Sequence, residues 1–364
     1  MPLAHSPTLQ GLCRLCKTRA RILPPVSPSV ISFHRSLPGY APTPIVNLPT
    51  LAKSLDVGRI VAKDESRRLS LPAFKILGVS WAARKALETV EPGDEVTLVT
   101  ATDGNHGRAV ARTARLLGHS AIIVVPASGI HPTAVKAIQD EGATVETSSG
   151  SYDDACLRAM ALSKEGKGRL LLQDTSWPRY EDVPRYIVEG YTTLFSELDA
   201  QLGSPPDLVI VQAGVGSLAQ AAVTHYRSSQ SGTRVVTVEP TRAGCVFASI
   251  RAGRSVTVPT SDTCMSGLNC GTPSYLAWPV LFRGLDGAIM VSEEQARDAE
   301  APLKAANVSS GPCGWAGIAG AKLLLSGADT RDIREKLSIT ADSVVVTIVT
   351  EGRERCTKIP PLEG

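Results

Sequence analysis

From Val96 onward the chain alternates short, nearly continuous Val/Ile/Leu runs with amphipathic stretches, and this alternation limits the fold more than any other feature. Val96–Thr100, Ala121–Val125, Ala143–Thr147, Leu170–Gln173, Leu208–Gln212, Arg234–Val238, Ala288–Val291 and Val344–Val349 are predicted as strands. Runs that lack strict polar alternation belong in a sheet covered on both faces. His106–Leu117, His131–Glu141, Tyr152–Lys164, Ser217–Tyr226 and Gly314–Leu325 are predicted as the covering helices. Strand followed by helix implies parallel strands joined by right-handed crossovers. The expected class is α/β, and 364 residues at roughly 150 per domain suit two domains, each with a mostly parallel sheet.

Composition narrows function mainly by exclusion. Thirty-eight basic against 35 acidic residues leave a net charge of +3, too weak a field to expect nucleic acid or an acidic membrane surface. No uninterrupted apolar run approaches the ~18 residues that a membrane span needs. Eight scattered cysteines fit a reducing, cytoplasmic setting. Cys13 and Cys16 have no second pair at zinc-finger spacing, so no metal site is expected. No acid precedes Asp56, whereas Arg14, Lys17, Arg19, Arg21 and Arg35 do, a pattern shared with organelle transit peptides such as mitochondrial ones. Pro24, Pro25 and Pro28 interrupt a long helix there, which favours a simple amino-terminal arm.

Ligands of parallel sheets bind beyond the carboxyl ends of the strands. At one such end, Gln212-Ala-Gly-Val-Gly-Ser-Leu218 runs from strand through tight turn into helix. Gly214 and Gly216 permit close approach by an anion, and the N–H groups of Val215, Gly216, Ser217 and Leu218 suit a phosphate. The string also fits a dinucleotide pattern, with Glu239 where a ribose-binding acid would stand. A second such loop, Thr102-Asp-Gly-Asn-His-Gly107, combines four hydrogen-bonding side chains with two glycines. Its N–H groups can clamp a carboxylate while Asn105 holds a polar ring substituent; Asp103 or Asn105 as an ordinary turn or cap residue is the plainer alternative. Finally, Leu71-Pro-Ala-Phe-Lys-Ile-Leu-Gly78 places Lys75 alone in an apolar string. A buried amine is a nucleophile toward carbonyls, and a lysine snorkelling from an apolar surface is the alternative.

These three segments, the last as part of Arg59–Lys85, with Phe33–Pro44, Gln173-Asp-Thr-Ser-Trp177, Ser266-Gly-Leu-Asn-Cys-Gly271 and Thr350-Glu-Gly352, resemble the diaminopropionate ammonia-lyase family. That family lies among the fold type II pyridoxal-phosphate enzymes related to tryptophan synthase β and threonine dehydratase. The matches occur in family order from Phe33 to Gly352 and displace the dinucleotide reading. The departures are Ser70 where glycine is common, Cys313 in a Ser-Gly-Pro-Ser-Gly-like turn, and Arg353 where an acid is usual.

The resemblance implies that Lys75 carries the aldehyde of pyridoxal 5'-phosphate. Gly214, Val215, Gly216, Ser217 and Leu218 would take its phosphate, Asn105 its ring hydroxyl and Thr350 its pyridine nitrogen. Thr102, Gly104 and His106 would line the substrate carboxylate site. Asp103 and Asp174 would be the acids that mark diamino-acid lyases, Asp103 moving protons and Asp174 also binding the β-ammonium. Residues 1–78 plus 190–364 would form a larger cofactor domain and 79–189 a smaller mobile one, with the active site in the cleft. The implied activity is α,β-elimination of ammonia from 2,3-diaminopropionate or a related β-substituted amino acid, by a homodimer. A β-replacement synthase or serine/threonine dehydratase-like enzyme is the alternative, and a non-catalytic sensor that binds pyridoxal phosphate stands behind it.

Overall fold

The structure, a computed structural model, describes residues 27–353 apart from 92, 103, 128–129, 230 and 327–329. The amino-terminal arm with Cys13 and Cys16, and Asp103, lie outside the described residues. The described strands, in chain order, are β1 (Ile45–Asn47), β2 (Arg59–Asp64), β3 (Thr97–Ala101), β4 (Ser120–Pro126), β5 (Thr144–Ser148), β6 (Arg169–Leu171), β7 (Leu208–Gln212), β8 (Arg234–Pro240), β9 (Gly287–Val291) and β10 (Val344–Val349). They form a six-stranded sheet, β1-β2-β10-β7-β8-β9, and a four-stranded sheet, β5-β4-β3-β6. Every pairing is parallel except β1 with β2. The α/β class with two mostly parallel sheets is therefore as expected. Among the described residues no helix is long and apolar enough to cross a membrane.

Pro42–Ser66 and residues 194–353 make one compact unit, which holds the six-stranded sheet. Its β7 is buried at every position, Leu208, Val209, Ile210 and Val211 among them. The helix Pro312–Leu325 covers β7, β8 and β10 with Gly317 and Gly320 against the strands, where side chains of Thr347 and Ile210 leave little room for a Cβ. β2 was not foreseen, because Lys63 sits inside it. That ammonium is fully buried and is held by Thr43 O at 2.7 Å, Glu197 at 2.8 Å and Gln201 at 3.0 Å. A charge with so complete a set of acceptors is tolerated in a core strand.

Ser27–Ala41 and Arg67–Thr193 make the other unit, with the four-stranded sheet. Segment 67–78, which carries Lys75, groups with this unit, whereas the sequence reading kept it with the larger domain. Three contacts explain the grouping. His34, fully buried, hydrogen-bonds Leu77 O through Nε2 (2.9 Å) and Thr193 Oγ1 through Nδ1 (2.8 Å). A Cβ on Gly190 would lie 2.4 Å from Leu77 O, so the helices Ile76–Leu87 and Asp182–Leu202 meet backbone to backbone. Gly78 makes the reciprocal approach, to Ile187 O.

Candidate active site

In the unit with the four-stranded sheet, Lys75 is set up by the turn before it. Arg68 and Leu71 exchange both backbone hydrogen bonds at 2.9 Å, and Leu69 and Ser70 between them have φ of 50° and 62°. Two consecutive left-handed residues define the tight reversal that normally favours glycine. Leu71, Ala73, Phe74, Ile76 and Leu77 then bury, and Lys75 caps the helix that follows, its carbonyl accepting from Val79 N–H. Its side chain is a quarter exposed, and Nζ lies 2.7 Å from Asp174 Oδ2, so the charge is compensated by a carboxylate.

Asp174 follows β6 in a loop held on both sides. Gln173 Oε1 accepts from Thr100 Oγ1 and Ala101 N–H, while its Nε2 donates to Tyr152. Tyr180 Oη accepts from Gln173 N–H at 2.8 Å and donates to Leu171 O at 2.9 Å, with its ring stacked on Trp177. Tyr152 and Tyr180 belong to no motif and were missed. Burial alone would raise the Asp174 pKa, but the charges of Lys75 and His106 and the hydrogen bond from Lys75 outweigh it. The group is held well below the usual carboxylate range.

His106 stands in the first turn of the helix Asn105–Leu117. Its Nε2 bonds Leu172 O at 2.7 Å, which requires the proton on that nitrogen, and Nδ1 is 3.8 Å from Asp174 Oδ2. Thr102 Oγ1 accepts from the N–H groups of Gly104 (2.9 Å) and Gly107 (3.0 Å). The Thr102 oxygen and the Gly104 amide thus hold the turn itself. Gly107 is required there, since a Cβ would fall 2.2 Å from Thr102 Cγ2. Asn105 opens the helix, partly buried. The structure brings Lys75, Asp174 and His106 together.

In the other unit, Gly214–Leu218 link β7 to the helix Ser217–Ser228. Gly216 has φ 97°, and a Cβ there would meet Leu281 at 2.7 Å; one on Gly214 would meet Cys270 Sγ at 2.9 Å. Gly216 caps the helix with no side-chain hydrogen bond, and a helix start of this kind suits an anion. Val215 O accepts from Ser274 N–H at 2.8 Å and pins the loop. Thr350 follows β10, and its Oγ1 is buried with no hydrogen-bond partner among the described residues. Its neighbour Glu351 accepts from Gly311 N–H and Cys313 N–H. Gln212 Nε2 donates to Ile348 O (2.6 Å) and Cys313 O (3.0 Å). Glu239 is engaged by the backbone of the helix Cys245–Ala252. Burial pushes its pKa up to about 8, and both oxygens accept backbone N–H groups, from Val246 and Phe247.

An amine nucleophile, a glycine cradle at a helix start and a buried hydroxyl awaiting a partner are the groups that an aldehyde-bearing aromatic phosphate requires. The family model described as pyridoxal-phosphate dependent enzyme matches residues 36–351, and the chain belongs to that family, with the fold type II architecture and pyridoxal phosphate as cofactor. Diaminopropionate ammonia-lyase of Salmonella typhimurium is 35% identical over 90% of this chain and 89% of the relative. The Escherichia coli enzyme of that name, solved with an aminoacrylate-PLP azomethine reaction intermediate, superposes with TM-score 0.80 at 32% identity, covering 90% of each chain. Its complex with D-serine gives TM-score 0.81 at 31% identity over 92% of each. Within the pyridoxal-phosphate enzymes, then, this chain is a member of the diaminopropionate ammonia-lyase family.

Proposed function

We propose that the chain is an ammonia-lyase that eliminates the β-amino group of 2,3-diaminopropionate, or of a closely related amino acid, to yield pyruvate and ammonia. The observation that carries this reading is the Lys75–Asp174 pair: a primary amine beside a carboxylate that stays ionised. Pyridoxal phosphate, when bound, supplies the electron sink for the Cα electron pair. Lys75 would hold the aldehyde, and its free Nζ would take the Cα proton of the substrate. Gly214–Leu218 would hold the phosphate through backbone amides, Thr350 would serve the pyridine nitrogen and Asn105 the ring hydroxyl. A hydroxyl opposite the nitrogen leaves the ring less protonated than an Asp would, which suits elimination.

Asp174 is the anion for the second ammonium of a diamino acid. A substrate that carries two cationic centres needs such a charge, and serine does not. Asp103, by family resemblance, handles the proton on the other face of the substrate. Assembly as a homodimer rests on the resemblance, and a cytoplasmic setting on the scattered cysteines.

The test is product analysis with purified protein. Diaminopropionate should give pyruvate, and Lys75→Ala should abolish its formation. Pyruvate released undiminished by Lys75→Ala would discard the assignment. Capture of an added thiol in place of pyruvate would instead identify a β-replacement synthase.

A further inference from the structure

Arg108, Arg112 and Arg115 follow one another by single turns along the helix Asn105–Leu117 and converge on one buried carboxylate, Glu141. Glu141 accepts from Nε and Nη2 of Arg112, the latter at 2.8 Å. Arg115 Nη2 lies 2.7 Å from it and Arg108 Nε 3.4 Å. Burial alone would raise the Glu141 pKa, but the hydrogen bond from Arg112 and the three positive charges hold it below the usual carboxylate range.

One donor of this cluster points elsewhere. Arg112 Nη1 donates to Leu69 O at 3.1 Å, inside the reversal that precedes Lys75. Leu69 and Ser70 both hold left-handed φ there, 50° and 62°, and neither is glycine. That conformation is unfavourable for residues with a Cβ and persists only where surrounding contacts enforce it. Glu141 fixes the guanidinium through two nitrogens, and the planar fork then presents the third to the Leu69 carbonyl. Leu71, Ala73 and Phe74 are buried between the turn and Lys75, so the turn sets where the Lys75 backbone enters its helix, with Nζ 2.7 Å from Asp174. The helix that begins with Asn105 and His106 thus also grips the segment that carries the amine.

Resting on the assignment of Lys75 made above, we propose that Arg112 is a positioning residue for Lys75: braced by Glu141, it holds the left-handed turn at Leu69 and Ser70 in the form that keeps the amine placed for bonding to the cofactor aldehyde. A glycine at position 70 would adopt that turn unaided, so Arg112 and Ser70 are energetically coupled.

The experiment is a double-mutant cycle of Arg112→Lys and Ser70→Gly, read with two probes. Pyridoxal 5'-phosphate engages Lys75, its aldehyde carbon forming C=N with Nζ and releasing water; pyridoxine 5'-phosphate has an alcohol there and cannot. Lysine at position 112 keeps a cation beside Glu141, which also retains Arg108 and Arg115, but it has no fork to span Glu141 and Leu69 O. Arg112→Lys should weaken pyridoxal phosphate by about threefold to tenfold and leave pyridoxine phosphate unchanged. In the Ser70→Gly background the same change should weaken pyridoxal phosphate by less than about twofold. Equal weakening of both probes, weakening of neither, or the same loss of pyridoxal phosphate in both backgrounds overturns the proposal. Should the unmutated protein bind both probes without borohydride-reducible attachment, the assignment of Lys75 falls and this proposal with it; attachment at Lys75 without coupling in the cycle overturns the role of Arg112 alone. If Arg112→Lys does not fold, Glu141→Gln takes its place in the cycle, since it removes the carboxylate that braces Arg112. Its selective loss of pyridoxal phosphate should likewise vanish in the Ser70→Gly background, and its persistence there overturns the proposal.

Discussion

In one unit Lys75, Asp174 and His106 face one another as charged or chargeable side chains, each fixed by further side chains and carbonyls. In the other, the groups we propose for the cofactor are neutral: backbone amides at Gly214–Leu218 and the Thr350 hydroxyl. The first arrangement is vulnerable to removal of charge. The second is vulnerable to added atoms, because its geometry depends on glycines whose Cβ positions are already occupied by Leu281 and Cys270. Electrostatics and steric fit can therefore be attacked separately in the same molecule.

The largest effect should come from the cradle. Gly216→Ala would force a side chain onto φ 97° and against Leu281. Left-handed strain of ~1–2 kcal/mol, together with displacement of the loop, should weaken pyridoxal phosphate about a hundredfold in a fluorescence titration. An unchanged affinity would show that the amides do not hold the phosphate.

Asp174→Asn attacks the charged side. Removing one member of a buried pair costs ~3–5 kcal/mol, and with Lys75 a quarter exposed the urea midpoint should report about 2 kcal/mol. Turnover of diaminopropionate should fall further than turnover of serine; equal losses would remove Asp174 from β-ammonium recognition. The pH dependence has a definite sign. A carboxyl depressed in the folded state contributes fully above its unfolded pKa of ~3.9, and the contribution drains away as pH falls below that. Acid-unfolding curves of the variant should be flatter from about pH 4 downward.

Thr350→Val should split stability from binding. An unpartnered buried hydroxyl replaced by a methyl leaves the unloaded protein more stable by about 1 kcal/mol, while cofactor affinity drops by about threefold to tenfold. Lower stability of unloaded Thr350→Val would mean that the hydroxyl already has a partner. The smallest effect belongs to Ser70→Gly, which relieves φ 62° in the turn ahead of Lys75. The net gain, after glycine's entropic penalty, should be about 0.5 kcal/mol in denaturant midpoint.

The same contrast explains what could be read in the sequence. The Val-rich strands were legible because burial on both faces demands apolar runs, and the glycine cradle because only glycine satisfies its backbone. β2 was hidden by Lys63, whose acceptors Glu197 and Gln201 lie far along the chain. Lys75 was conspicuous as one cation in an apolar string, but its ion pair with Asp174, 99 positions along the chain, was not expected: family resemblance marked Asp174 only for the β-ammonium. The left-handed φ of Ser70 is a backbone conformation that favours glycine, a preference that no residue spacing reveals. Tyr152 and Tyr180 carried no signal, since each acts through a contact made by folding. The helix Asp182–Leu202 was not foreseen either, although Ile187, Tyr191, Leu194 and Leu198 bury one face at helical spacing while Arg185 and Glu189 lie on the other.

Borohydride reduction of the protein loaded with pyridoxal phosphate, followed by peptide mass spectrometry, tests the central assignment most directly. The cofactor should be found covalently fixed on the peptide that contains Lys75 and on no other. An unmodified Lys75 peptide, or fixation at a different lysine, would contradict it.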